Sequence, residues 1–304
     1  MDELRAQILS SIQNLNVNKS GTKRSPHKPL LLLLALSKLQ QGEDKLPFQL
    51  VEQELLPLLK AFAPPVIGSH QPELPYWYLQ SDQLWTVSSA ETMPRQSGGF
   101  PRMAGIRQSE AGFPREIADY LSSHPDFTID IINNLLEEYF PISIQEELVS
   151  RLSLSTENGE EGPKIVATRR RDPSFRNKIL RAYEYRCAVT GFQAALGGSF
   201  FGCEAAHVRW HAYGGPDSVA NGICLEPTLH KLFDAGAWTL DDNHRILVSK
   251  DFTGSETAVH RLRDHHGKPL KAPVPGEPAV DLEFITWHRE PELGGVFRHP
   301  ALNM

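Results

Sequence analysis

Apolar residues recur at helical spacing through much of the first 150 residues, which predicts a mainly helical N-terminal half. The spacing of Leu4, Ile8, Ile12 and Leu15 predicts the first helix. Further helices are predicted at residues 29–40, at 49–60 with an interruption at Pro57, from Pro114, and over 131–140 up to Pro141.

The period changes from helical to alternating between residues 76 and 87. Two aromatic and β-branched runs, Tyr76 to Leu79 and Leu84 to Val87, flank the dipeptide Ser81-Asp82. Such runs around a turn are typical of a β-hairpin. Helices with one hairpin indicate a winged-helix-like domain over residues 1–152.

A polar stretch poor in apolar residues separates this half from the rest of the chain. We place a linker at 153–168 and a second domain at 169–304. In that second domain the pattern predicts a strand at 200–208, a Gly-rich loop, a short strand at 223–225 and a helix from Pro227. The fold class predicted for the whole chain is α+β.

Composition is that of an ordinary globular protein. The chain has 304 residues, 40% of them hydrophobic, a formal charge of −6 and three cysteines without a CxxC pair. No apolar run approaches the roughly 20 residues that span a bilayer, and no secretory signal is visible. We therefore expect a cytoplasmic protein without membrane contact, and the net acidity at first argues against nucleic acid.

The distribution of charge reverses that last inference. No acidic residue occurs between Glu3 and Glu43, and residues 164–186 carry a net charge of +6. Two separate basic segments are typical of a nucleic-acid-binding protein. In the second segment, four arginines are candidates for contacts with a DNA backbone: Arg169, Arg170, Arg171 and Arg176.

The second domain also holds residues that suit phosphodiester hydrolysis. His230 and Asp234 are four positions apart on one predicted helix, so they share a face and could bind one divalent cation. His207 ends the preceding strand and could take a proton from water. Asn221 could fix the loop or this histidine.

These residues form a pattern, AAH, then NG, then LEPTLHKLFD, that resembles the HNH nuclease motif with its ββα-metal fold. The resemblance implies a general base at His207, the middle asparagine at Asn221, and metal ligands at His230 and Asp234. It also implies a divalent cofactor, which would be Mg²⁺, Mn²⁺, Co²⁺ or Ni²⁺.

The chain departs from that motif in two places. Many members have a metal ligand immediately before the base, where this chain has Ala206. Glu204 could substitute, although strand alternation directs it away from the His207 face. Many members also bind a structural zinc through two CxxC pairs, whereas Cys187 and Cys224 are expected to be buried thiols.

The first domain has a resemblance of its own. The segments SPHKPLLLLLAL, LPYWYLQ, AGFPREIADYL and EEYFP resemble the sulfur-binding domain of type IV restriction enzymes, which recognises phosphorothioate-modified DNA. That family places the sulfur in an apolar cavity and holds nearby phosphates with basic side chains. The residues that match this site are Pro75 and Tyr76 for the cavity wall, and Arg24, His27, Lys28, Arg102 and Arg107 for phosphate and base contacts.

Together the two resemblances predict an endonuclease that recognises phosphorothioated double-stranded DNA. Since one HNH site cuts one strand, they also predict a homodimer. Three alternatives stay open: a DNA-binding protein with an inactive HNH fold, an HNH nuclease that reads a methylated base, and a metal-dependent hydrolase that acts on another substrate.

Overall fold

The computed structural model describes residues 3–17, 19–20, 23–66, 68–155 and 173–303, and the chain divides into two compact units. The N-terminal unit takes in the described residues up to 155 except 20–24 and 64–66, which group with the C-terminal unit that contains 173–303. The predicted linker lies largely outside the described residues.

Helices dominate the described part of the chain before residue 156. They are α1 (Glu3–Gln13), α2 (His27–Gln40), α3 (Phe48–Phe62), α4 (Glu73–Tyr78), α5 (Met103–Arg107), α6 (Arg115–Ser123), α7 (Pro125–Tyr139) and α8 (Ile142–Leu152). The strands are β1 (Lys19–Ser20), β2 (Lys23–Arg24), β3 (Leu46–Pro47), β4 (Thr86–Val87) and β5 (Glu110–Gly112).

Helix α2 forms the centre of the N-terminal core. Its residues from Leu30 to Leu36 are all buried, and α3, α4, α6, α7 and α8 pack around it. A helix that is apolar on every side needs such a shell, because no face can be left in water. A small antiparallel sheet of order β3-β5-β4 completes the unit.

Two sequence predictions for this unit were wrong. Residues 76–78, predicted as part of the first hairpin strand, belong to α4, whose first turn tolerates Pro75 because no backbone N–H is needed there. Only Thr86 and Val87 of the expected hairpin are strand. Helix α3 also continues through Pro57, with a buried apolar face on either side of that proline.

The C-terminal unit combines short strands with four described helices. Its elements are α9 (Pro173–Ala182), β6 (Ala194–Leu196), β7 (Ser199–Phe201), β8 (Glu204–His207), β9 (Gly222–Leu225), α10 (Pro227–Asp234), β10 (Trp238–Leu240), β11 (Ile246–Val248), α11 (Glu256–Arg263) and α12 (Leu282–Arg289). The chain is therefore of mixed α+β class, as predicted.

The antiparallel pair β8 and β9 lies at the centre of this unit, with His207 opposite Gly222. Helices α9 and α10 pack against β8. The order strand, loop, strand, helix agrees with the sequence prediction, except that the single strand expected at 200–208 is divided. Gly202, with φ of +82°, separates β7 from β8.

No helix in the described part of the chain is both long and apolar enough to cross a membrane.

Candidate active site and nucleic-acid interface

His207 lies at the end of β8 with a carboxylate and an aromatic ring against it. Its Nε2 is 2.7 Å from Oδ1 of Asp217, and its ring stacks on Phe175 of α9 with centroids 3.9 Å apart. Because a carboxylate accepts and Nε2 must donate, the neutral ring carries its lone pair on Nδ1. Asp217, in the loop between β8 and β9, was not identified from the sequence.

Asn221 is fully buried and holds this loop together. Its Nδ2 donates to the carbonyl oxygens of Arg209 and Pro216, both at 3.0 Å, and its Oδ1 accepts from the Arg209 N–H at 2.8 Å. The side chain therefore spans the loop just before Asp217. Of the two roles considered for Asn221, this geometry favours fixing the loop.

His230 on α10 is buried between two carboxylates. Its Nδ1 is 2.8 Å from Oε2 of Glu204, and its Nε2 is 3.2 Å from Oδ2 of Asp234. Burial alone would lower the pKa of His230, but the charge of Asp234 and hydrogen bonds to both carboxylates raise it to about 9. The hydrogen bond to His230 in turn lowers the pKa of Glu204.

The Asp234 side chain is buried and contacts protein groups, whereas a metal ligand needs an oxygen that is open to the ion. Its side chain is only 2% exposed, its Oδ2 faces His230, and its Oδ1 accepts a hydrogen bond from the Trp210 indole at 3.0 Å. Both oxygens thus have protein partners. The arrangement favours a carboxylate that orients His230, which departs from the expected His230 and Asp234 ligand pair.

Glu204 and His230 are the side chains that best fit a divalent cation. Within the described ranges, no three His, Cys, Asp or Glu side chains come together in a metal-binding group. However, the Glu204 side chain is 45% exposed and contacts His230 Nδ1, the position that a cation could occupy in place of the proton. Mg²⁺ often needs only one or two carboxylates, since water and substrate phosphate complete its shell.

Arg176 adds positive charge beside this group. It is exposed on α9, its Nη2 donates to the Cys203 carbonyl at 3.4 Å, and its charge contributes to the lowered pKa of Glu204. Arg169, Arg170 and Arg171 lie outside the described residues.

The three cysteines, Cys187, Cys203 and Cys224, are free and buried. A hydrogen bond with Cys203, together with burial, raises the pKa of the Cys224 thiol. The expectation that Cys187 and Cys224 are buried thiols is confirmed.

In the N-terminal unit, Lys28 has a protein partner. Its Nζ lies 2.5 Å from Oδ2 of Asp82 and 2.8 Å from the Asn16 carbonyl oxygen, and its side chain is 9% exposed. A buried ion pair of this kind connects the start of α2 to the turn after α4. The Lys28 side chain is therefore not exposed for the phosphate contact that the sequence predicted.

Tyr76 lies in the core. It is fully buried, packs edge-on against Phe48 and Trp85, and hydrogen-bonds Ser109 Oγ at 3.0 Å. Burial raises its pKa to about 12. Its neighbour Pro75 is buried as well, so neither side chain forms an exposed wall.

The exposed apolar side chains of α4 are Leu74 and Tyr78, which are 38% and 49% exposed. Tyr78 lies 5.8 Å from Phe100 between ring centroids. They are four positions apart, so a helical interpretation of this segment would have found them from the sequence.

His27 is partly exposed at the start of α2 and has two polar neighbours. Its Nδ1 is 2.7 Å from Ser25 Oγ, and its Nε2 is 3.2 Å from Nδ1 of His70, a residue that the sequence did not single out. Arg102, which precedes α5, and Arg107, its last residue, are exposed. Arg24 lies in β2, and its side chain is outside the described part of the structure.

Two family models match the sequence. Residues 5–157 match the ScoMcrA-like DNA sulfur-binding domain, and residues 187–241 match the HNH endonuclease family HNH_2. No curated protein matches the chain by sequence similarity.

Solved structures similar to this chain include two sulfur-binding domains in complex with phosphorothioated DNA. The ScoMcrA domain is 20% identical with a TM-score of 0.42, and the match covers 47% of this chain and 96% of that one. The SprMcrA domain is 18% identical with a TM-score of 0.40, covering 49% and 93%. The ScoMcrA type IV phosphorothioation-dependent restriction endonuclease is 21% identical with a TM-score of 0.38, and this chain covers 26% of its length.

Proposed function

This chain belongs to the ScoMcrA-like DNA sulfur-binding domain family, and on that premise we propose that it cleaves DNA in response to phosphorothioate modification. The sulfur-binding domain and the HNH endonuclease domain together support a modification-dependent restriction endonuclease. The observation that carries the proposal is that the HNH match contains two histidine–carboxylate groups, one at His207 and one at His230.

We propose that recognition uses the exposed surface at α4 and the start of α2. Sulfur is larger and less strongly hydrated than the oxygen that it replaces, so an apolar surface should prefer it. Leu74 and Tyr78 offer such a surface, and they replace Tyr76 in our assignment. His27 and Arg102 are our candidates for the adjoining phosphates and bases.

For cleavage, we propose that His207 is the general base. Asp217 holds the proton on Nε2, so Nδ1 receives the proton of the attacking water, and the carboxylate then stabilises the imidazolium. Phe175 fixes the ring plane by stacking, and Asn221 fixes the loop that carries Asp217. A divalent cation held by Glu204 and His230 would polarise the phosphoryl oxygen and balance charge on the leaving oxygen.

We also propose that two copies act together. One histidine base activates one water and breaks one strand, so a double-strand break requires a second site. A homodimer, or two copies recruited to the same DNA, would supply it.

Substituting the base tests the proposal. His207→Ala should abolish cleavage of a phosphorothioated duplex in the presence of Mg²⁺ and leave affinity for that duplex unchanged. His260→Ala is a matched control, since this histidine of the same unit is 61% exposed on α11. Retained cutting by His207→Ala would show that the assignment is wrong.

A second function, DNA binding without cleavage, is favoured by two observations on the metal ligands. The described residues contain no group of three metal ligands, and Ala206 stands where many HNH nucleases have one. A nicking assay on supercoiled phosphorothioated plasmid with Mg²⁺, Mn²⁺, Co²⁺ or Ni²⁺ separates the two functions. Plain and methylated plasmids serve as specificity controls.

A further inference from the structure

A small β-hairpin in the C-terminal unit presents large apolar side chains to solvent. Among the residues that the structure describes, strands β6 and β7 pair only with each other, and they turn at Gly197 and Gly198, with φ of +58° and +81°. Leu196 is 77% exposed and Phe201 is 56% exposed. Isolated two-stranded hairpins are marginal in water, so this exposure has a cost that a binding partner would remove.

The register explains which side chains are free. Phe201 pairs with Ala194, and Leu196 pairs with Ser199, so these two large residues share a face on which their direct partners are small. The other face carries Phe200, whose ring stacks on Tyr185 with centroids 4.6 Å apart. Phe200 is itself 46% exposed, but its stacking on Tyr185 holds that face against the unit, while Leu196 and Phe201 project from the other.

The charge around the hairpin indicates the kind of partner. No acidic residue occurs between Glu184 and Glu204, so the hairpin itself is uncharged. Exposed Arg186 lies in the same segment, and Arg176 donates to the backbone at Cys203, where the hairpin meets β8. Glu184 and Glu204 flank this segment, but an apolar tip that carries no acidic group itself and has exposed cations beside it is complementary to nucleic acid.

We propose that this hairpin is a wedge that inserts Leu196 and Phe201 between neighbouring bases close to the cleaved phosphate. Glu204 comes only three positions after Phe201, which limits their Cα distance to about 11 Å. The major groove of DNA, about 12 Å wide, admits a two-stranded β-ribbon. Apolar side chains that enter a base step, as those of minor-groove proteins do, unstack it and kink the duplex. This inference rests on the proposed nuclease function.

Charge also argues against a second copy of the chain as the binding partner of this hairpin. Pairing two such hairpins would bring Arg186 of each copy toward that of the other, and residues 185–203 supply no acidic partner for it. DNA phosphates supply the opposite charge.

Base unstacking provides a direct test. The full-length His207→Ala variant is bound to phosphorothioated duplexes that carry 2-aminopurine at each position in turn. We expect its fluorescence to rise at one step and the rise to disappear when Leu196→Ala and Phe201→Ala are added. In the otherwise wild-type chain, the same pair of substitutions should slow cleavage about tenfold, equivalent to about 1.4 kcal/mol.

Leu293→Ala is the matched control, because Leu293 is an exposed leucine, 46% accessible, on a different element of the same unit. It should cleave and unstack normally. Since the hairpin residues are exposed, unchanged thermal unfolding should accompany their loss of function. Phe201→Trp with Leu196→Met should retain the fluorescence rise.

Three results would overturn the wedge. The first two are fluorescence that rises equally in the double variant and cleavage by the double variant at the wild-type rate. The third is that the double substitution abolishes a dimer that forms without DNA, as measured by sedimentation, and leaves the fluorescence unchanged. The wild-type chain tests the nuclease function separately. If it cleaves while the hairpin variants behave normally, only the wedge fails. If it does not cleave but unstacking depends on the hairpin, only the nuclease assignment fails.

Discussion

His207 and His230 each contact a carboxylate on another element, yet the two groups suit different chemistry. His207 faces one partly exposed carboxylate, Asp217, which can orient it for proton transfer. His230 faces two, Glu204 and Asp234, an environment that favours a positive charge at the ring. The same residue type therefore suits a base at one position and, at the other, a site where a cation could replace the proton that the two carboxylates stabilise.

Replacing Asp217, the partner of the proposed base His207, should slow the proposed reaction without affecting binding. We expect Asp217→Asn to lower the cleavage rate about a hundredfold, because the amide no longer stabilises the imidazolium. Asp217→Glu should recover part of the rate. Single-turnover cleavage measures the effect, with affinity for phosphorothioated duplex as the control for folding. Wild-type cleavage by Asp217→Asn would exclude the pairing from the mechanism.

A third histidine, His288, is a stability determinant. It is fully buried, stacks on Phe233, donates from Nε2 to the Phe233 carbonyl and accepts from the Thr239 hydroxyl at Nδ1. Burial lowers its pKa to about 4. The folded chain therefore resists protonation at a pH where an unfolded histidine, with a pKa near 6.5, already accepts a proton.

Stability should consequently fall on acidification. Between pH 6.5 and 4 the unfolded state binds a proton that the folded state does not, which costs about 1.4 kcal/mol for each pH unit. Urea unfolding followed by tryptophan fluorescence measures this slope. His288→Gln should flatten it in this window, while His260→Ala, at an exposed site, should not. An unchanged slope in His288→Gln would contradict the prediction.

At the scale of elements, the packing of α9 against β8 and β9 determines where His207 lies. Gly222, opposite His207, leaves room for Ile179, since a Cβ there would lie 2.1 Å from Ile179 Cδ1. Phe175, which stacks on His207, comes from the same helix. The glycine is needed here for close approach of the helix.

Filling that space should disturb both stability and catalysis. We expect Gly222→Ala to destabilise the C-terminal unit by about 1 to 3 kcal/mol and to slow cleavage through the shifted α9. Ile179→Ala removes the clashing atoms, so the double variant should be more stable than the sum of the single effects allows. A double-mutant cycle in urea unfolding tests this, and strict additivity would count against it.

At the scale of the whole molecule, the net charge of −6 combines two basic segments with acidic ones elsewhere. Attraction to DNA that is independent of sequence and modification should therefore be weak, which leaves more of the binding to the modified site.

Salt titration tests this consequence. The dependence of affinity on salt should be shallower for unmodified than for phosphorothioated duplex, because the phosphate contacts of the recognition surface form fully only at the modified site. Equal slopes would contradict the prediction. His27→Ala should reduce the difference between the two duplexes, with His260→Ala as the control.

The sequence by itself determined the features that depend on local pattern: the apolar core helix α2, the order of β8, β9 and α10, and the motif residues His207, Asn221 and His230. The helix and the order of elements follow from periodicity and spacing along the chain, and the motif residues from the resemblance to the HNH pattern. Only the tertiary structure decided which polar groups meet, because Asp217, Glu204 and Trp210 reach their partners through loop closure and packing. It likewise turned the segment around Tyr76 into a helix and buried that side chain, since packing against α2 and α3 outweighs local β-propensity.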